Sequence, residues 1–232
     1  AHEEGTAGSH APSHRPAPQQ GQHLAWRGGG ARRHAWQAGP LPGERQRALP
    51  TADALLRQVG IDPKTAAKYL GIFEQMYLLK RVDVWARNRL KRMVKMPKLQ
   101  FIDAGLLATL LDLTAEETQK DKTRFGHVLE TFVYSELLKH ASTAEGDYQL
   151  LYYRDADQVE VDVVIENAAG QVVGVEVKSS ATVKESDLRG LRKLAGLAGA
   201  DFKMGVLLYD GDETLPLGDN IWAAPLSTLW GK

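Results

Sequence analysis

The stretch from Tyr152 to Ser180, YYRDADQVEVDVVIENAAGQVVGVEVKSS, carries the residues best suited to chemistry. Asp162 is followed, after thirteen residues, by Glu176-Val177-Lys178. Two carboxylates on rigid strands can hold Mg²⁺ (or Mn²⁺) through one or two oxygens, leaving positions for water and a phosphate oxygen. A lysine beside them is a compact positive charge, able to orient an attacking water or to stabilise charge developing on phosphate. The chemistry expected is metal-assisted phosphodiester cleavage, with Asp162 and Glu176 as metal ligands and Lys178 as the lysine that positions water.

That chemistry requires two neighbouring strands in a fixed register. Val159, Val161, Val163 and Ile165 alternate with Glu160, Asp162 and Val164, the period of a strand with one buried face. Ala168-Ala169-Gly170 supplies a glycine for a left-handed turn position, and Val173, Val175 and Val177 then alternate with Gly174, Glu176 and Lys178. If Asn167 pairs with Gln171, Asp162 falls opposite Glu176 and both acids share a face with Lys178. A slip of one residue would separate them. The spacing resembles that of the PD-(D/E)xK nuclease superfamily.

The rest of the chain bounds the context. Its 232 residues allow one large or two small domains, and the acidic and basic residues balance at 29 each. With no cysteine there is neither a disulfide framework nor a thiolate metal site. No apolar run is long enough to span a bilayer and no signal peptide is visible, so a cytoplasmic protein without membrane partners is expected. Residues 1–50 contain only Leu24, Leu41 and Leu49 as aliphatic residues beyond alanine, together with five of the seven histidines. Such a segment buries too little apolar surface to fold, and it is expected to be disordered or a frame-shifted start.

Residues 51–102 form the pattern of a winged helix. A short helix over 52–59 ends at Gly60, Asp62-Pro63 caps a second helix running to about Leu78, and strands follow at Leu79–Trp85 and Val94–Ile102. The hairpin is basic: Lys80, Arg81, Arg87, Arg89, Lys91, Arg92, Lys95 and Lys98 stand against Asp83 alone. Contact with a DNA backbone is the functional reading, with Lys64 and Lys68 of the second helix adding phosphate contacts. The alternative is a solvated or protein-packing hairpin.

Residues 103–124 read as a helical linker. A helix at Asp103–Leu111 precedes the capping box of Thr114 and Glu117. From residue 125 to the end a mixed sheet flanked by helices is expected, so the fold class is α/β. Its first helix, Phe125–His140, has a clear apolar stripe with Glu130 at the margin. Glu130 either reaches out to solvent or, if Gly126 allows close approach, adds a carboxylate to the site. His127 and His140 read as helix-surface residues. Tyr152-Tyr153-Arg154 opens the sheet, with Arg154 leaning toward phosphate at the site's edge. A helix from Ser186, a central strand at Phe202–Tyr209, a strand at Ile221–Ala224 and a helical turn at Leu226–Trp230 complete it.

The phrases KTAAKYLGIFEQMYLLKRV, KMPKLQFIDAGLLATLL, FGHVLETFVYSELLKH, VEVDVVIE, VEVKSS and PLGDNIWAAPLSTLW together resemble the C-terminal half of a large bacterial and archaeal family of AAA-type ATP-binding proteins. The resemblance spans Thr51 to Trp230. It implies a winged helix followed by a restriction-endonuclease-like PD-(D/E)xK domain, with Glu130, Asp162, Glu176 and Lys178 on the active-site positions. Glu130 would then join the metal-holding acids. The ATPase half of that family has no counterpart here, so no ATP site is expected. The expectation is a Mg²⁺-dependent DNA phosphodiesterase with a DNA-contacting winged helix. Its rival is a non-catalytic DNA-binding or protein-contact module of an ATPase, with a protein partner or a second copy as further partners.

Overall fold

A computed structural model describes residues 62–88, 90, 92, 97–120 and 122–231. The readings made for residues 1–50, for the helix over 52–59 and for Arg89, Lys91 and Lys95 lie outside these residues.

Helix α1 (Pro63–Gln75) begins where Asp62 accepts a hydrogen bond from Thr65 N–H and Pro63 occupies the first turn. Strands β1 (Leu79–Val82) and β2 (Lys98–Phe101) pair antiparallel, Leu79 opposite Phe101. Helix α2 (Ala104–Leu110) is capped by Asp103. Thr114 and Glu117 close their reciprocal capping box at the head of α3 (Ala115–Lys120). The long helix α4 (Lys122–Thr143) then leads into the main sheet.

That sheet has six strands: β3 (Tyr148–Arg154), β4 (Glu160–Asn167), β5 (Val172–Val177), β6 (Phe202–Tyr209), β7 (Leu215–Gly218) and β8 (Ile221–Pro225). Their spatial order is β3-β4-β5-β6-β8-β7. The first three strands are antiparallel neighbours, and β5, β6 and β8 run parallel. Helix α5 (Arg189–Ala198) makes the crossover between β5 and β6. This is the mixed, helix-flanked sheet expected of an α/β chain. Strand β7, with proline in a four-residue run, carries no alternation and is visible only in the fold.

Two apolar cores cover the two faces. Leu191, Leu194 and Ala198 of α5 pack with Val161, Val164 and Val172. Leu129, Val133 and Tyr134 of α4 pack with Val163, Val175 and Val177 on the other side. Valines 161 and 164 therefore share a face, as strict alternation forbids. The cause is a β-bulge: Leu151 lies opposite Val164 but Tyr153 lies opposite Val161, so Asp162 and Val163 together face Tyr152. The single buried face expected for Val159 to Ile165 is thus corrected to one face on either side of the bulge.

The first unit closes the open edge of β3. Asp83 carbonyl accepts from Tyr152 N–H, Tyr152 carbonyl accepts from Trp85 N–H, and Val84 bridges Tyr152 in parallel. Close approach also governs α5. A Cβ added at Gly190 would lie 2.1 Å from the Glu160 carbonyl oxygen. Gly190→Ala must push α5 off β4 and is expected to cost about 1–3 kcal/mol by overpacking. A urea midpoint equal to wild type would refute this tight seating.

Candidate functional site

The hairpin of β4 and β5 positions two of the acids. Asn167 N–H donates to the Gln171 carbonyl and Gly170 takes φ +79°, so the turn sets the register that puts Val163 opposite Val175. The strand ladder ends there. One step further, the Asp162 carboxylate replaces a backbone acceptor: its Oδ2 accepts from Val177 N–H at 2.9 Å. The bulge and this bond seat Asp162 in the gap where β4 and β5 part, opposite Glu176. Glu176 and Lys178 leave β5 on the side away from Val175 and Val177, by the alternation of a strand.

Three more acids crowd this end of the sheet. Glu130 reaches in from α4, its side chain only 13% exposed, which settles the choice left open for it in favour of the interior. Gly126 plays no part in that approach, since an added Cβ there meets nothing within 4 Å. Glu160 stands on β4, and Asp187, at the start of the turn before α5, ion-pairs with Lys178 at 2.9 Å. Asp187 also accepts from Lys184 N–H. Lys178 is therefore held by a carboxylate that the spacing of the motif did not single out.

The largest departure from the sequence reading concerns Lys98. Expected on a basic hairpin, it is 3% exposed. Its ammonium lies 3.4 Å from Glu160 Oε1 and 3.9 Å from Glu130 Oε2. Two residues on, Gln100 donates to Thr131 Oγ1 of α4 within the same buried seam. The inward turn of β2 has a physical cause: the combined pull of Glu130, Glu160 and Asp162 in low dielectric offsets the desolvation cost of burying the ammonium. Arg92 is likewise turned inward. Its guanidinium makes two hydrogen bonds to Glu166, at 2.6 and 2.8 Å, and one to the Ala86 carbonyl. These two residues pack the first unit on the sheet, and the expected phosphate contact of Arg92 is corrected accordingly. Lys64, Lys68 and Lys80 are exposed. Arg81 pairs with Glu74, Arg87 bonds the Leu197 carbonyl, and Arg154, opposite Glu160 on β3, bonds Gln158.

Burial and mutual repulsion set the electrostatics. Burial, with the Asp162 charge next, holds the Glu130 and Glu176 carboxyls well above the ordinary carboxylate range. Burial pushes Asp162 up to about 6, against the opposing pull of Lys98. Burial alone would lower the Lys98 ammonium, but Glu130, Glu160 and Asp162 outweigh it and raise it above its usual value. His127, expected on the helix surface, is instead half-buried; burial and the Lys98 charge lower its pKa.

The carboxylates outnumber the ammonium groups, and Oε2 of Glu176 is buried with no hydrogen-bond partner. An unpaired buried oxygen of this kind calls for a proton or a cation. Among the described residues no group of three His, Cys, Asp or Glu side chains stands in the arrangement of an assembled metal centre. Mg²⁺ requires less than that, since one or two carboxylates with water and substrate phosphate suffice. Asp162 and Glu176, all-oxygen donors at a partly accessible point of the sheet, fit such an ion.

A pH dependence follows. Asp162 binds its proton more tightly folded than unfolded, so its contribution is stabilising below the unfolded carboxylate range and is lost as pH rises through about 6. In chelator, wild type should lose thermal stability relative to Asp162→Asn between about pH 4 and 7, as the sign of that linkage requires. The asparagine can still accept from Val177. A constant difference across that window would contradict the assignment.

Residues 125–229 match the family described as Domain of unknown function (DUF4143), a domain found in AAA-ATPase-associated proteins. Residues 41–117 match a second Domain of unknown function (DUF8612). Two curated relatives are the uncharacterized proteins Rv2008c of Mycobacterium tuberculosis and Mb2031c of Mycobacterium bovis. Each is 26% identical over 175 residues, covering 75% of this chain. The chain spans 38% of the length of these relatives. No solved structure matches. No helix among the described residues is long and apolar enough to cross a membrane.

Proposed function

We propose that the chain carries a divalent-cation-dependent phosphodiesterase site of the PD-(D/E)xK kind, acting on DNA beside a winged-helix unit. The observation that carries this reading is the unpartnered Oε2 of Glu176, buried next to Asp162 where two strands part. A packing module gains nothing from such an oxygen, which costs stability unless a cation or proton meets it. A bound Mg²⁺ would supply Lewis acidity and an activated water. Asp162 and Glu176 would hold it, with the buried Glu130 of α4 as a further carboxyl beside them. Lys178, oriented by its ion pair with Asp187, would steady the attacking water or the phosphate.

The second reading, a non-catalytic accessory module, draws support from Lys98 and Arg92. Both are spent on internal carboxylates rather than presented to a nucleic acid. A plasmid-nicking assay separates the two. With Mg²⁺ or Mn²⁺, wild type should nick supercoiled DNA, and Asp162→Ala and Lys178→Ala should each lose at least about 10²-fold, the scale of removing one charged group from such a site. Equal nicking by all three proteins would mark a contaminant and remove the enzymatic reading.

A further inference from the structure

Nothing in the Asp-Glu-Lys motif anticipates a lysine from another unit among its acids. We infer that Lys98 is a built-in second cation: its ammonium takes the place a second divalent ion would need, so the site binds one metal ion and not two. The inference rests on the proposed cation-dependent reading, and it assigns Lys98 and Glu160 roles that the motif leaves blank.

Carboxylate sharing sets the ion count. Two-metal phosphodiesterase sites need enough acids to serve two ions roughly 3.5–4 Å apart. This sheet end has the acids: Glu130, Glu160, Asp162 and Glu176. Lys98 hydrogen-bonds Glu160 Oε1 at 3.4 Å, and its charge stands 3.9 Å from Glu130 Oε2, a buried oxygen with no hydrogen-bond partner, so the ammonium sits between these two acids where a second ion would. Asp162 and Glu176 are left for a single ion, and Asp162 is oriented by Val177 N–H rather than by the lysine.

The ammonium is also fixed there by its scaffold. Lys98 lies on β2, whose neighbour Gln100 is bonded to Thr131 on α4, and the chain before β2 is tied to the sheet through Arg92 and Glu166. A side chain 3% exposed and braced from both directions is not a mobile surface lysine. The two units therefore make one composite site. Its cation count is set by a residue far from the Asp-Glu-Lys motif in sequence.

Mn²⁺ reports stoichiometry without any need for turnover. Isothermal titration of the full chain should give one Mn²⁺ per wild-type protein, with an uncoupled electron-paramagnetic-resonance spectrum at saturation. Lys98→Met should take up two ions with a spin-coupled spectrum, and adding Glu160→Gln to that variant should remove the second. Glu160→Gln alone should keep the single ion within about threefold of wild-type affinity, since Glu160 serves the lysine (threefold is about 0.65 kcal/mol). A spin-coupled pair in wild type, one ion in both wild type and Lys98→Met, or a tenfold loss in Glu160→Gln would overturn the inference. These readings stand even if Lys98→Met does not fold, because the wild-type spectrum and the Glu160→Gln titration remain. Failure of the phosphodiesterase reading has a separate signature: the ion counts hold while no variant or wild type nicks DNA.

Discussion

In chelator, Lys98→Met should lower the free energy of unfolding by about 3–5 kcal/mol, the scale of removing one partner from a buried charge cluster. The side chain is nearly isosteric, so little of this is lost packing. What is lost is the ammonium that Glu130 and Glu160 face, leaving carboxylates whose desolvation is no longer offset. Glu160→Gln introduced alongside should recover part of the loss, because it removes one of the orphaned charges. A double-mutant cycle would show coupling on the order of 1–3 kcal/mol between the two positions. A loss under about 1 kcal/mol, the ordinary worth of an exposed pair, would mean that Lys98 is solvated in solution.

Glu166→Ala is expected to cost about 3 kcal/mol by breaking a largely buried ion pair. Arg92 and Glu166 are 11% and 7% exposed and share two parallel hydrogen bonds, the geometry in which arginine binds carboxylate best. The effect should persist in high salt, since a buried pair is screened far less than a surface one. Glu166→Gln, which keeps an acceptor for the guanidinium, should be the milder change. Chemical denaturation of both variants in low and high salt measures this, and a loss that vanishes with salt would place the pair at the surface.

Much of the architecture could be read in advance because it depends on local signals. Asn167 and Gly170 determine a turn, the turn determines a register, and the apolar stripes of α4 and the continuous Met204–Tyr209 run locate a helix and an inner strand. The bulge at Asp162 and Val163 was hidden for a definite reason. One extra residue within a run of valines leaves the hydrophobic pattern intact while reversing which face each valine meets. Lys98 and Arg92 depart from the solvated hairpin that a basic cluster implies, because the tertiary placement of Glu130, Glu160 and Glu166 turns them inward. Asp187 carries no local signal, since its partner lies across a loop and on another element. In each case a long-range electrostatic contact overrode a sound local expectation.

The docking of Asp83, Val84 and Trp85 along Tyr152 has a consequence for self-association. A sheet margin that already has a bonded neighbour at its centre offers little of the hydrogen-bonding ladder another molecule would need to stack onto it. At the far margin, β7 is short and carries Pro216, which donates no backbone hydrogen. Both rims are thus blunted, one by the chain's own preceding segment. Cutting the protein just before residue 125 would strip that guard from β3, take Trp85, Val82 and Val84 out of the two cores, and leave a fragment prone to fibre-like stacking.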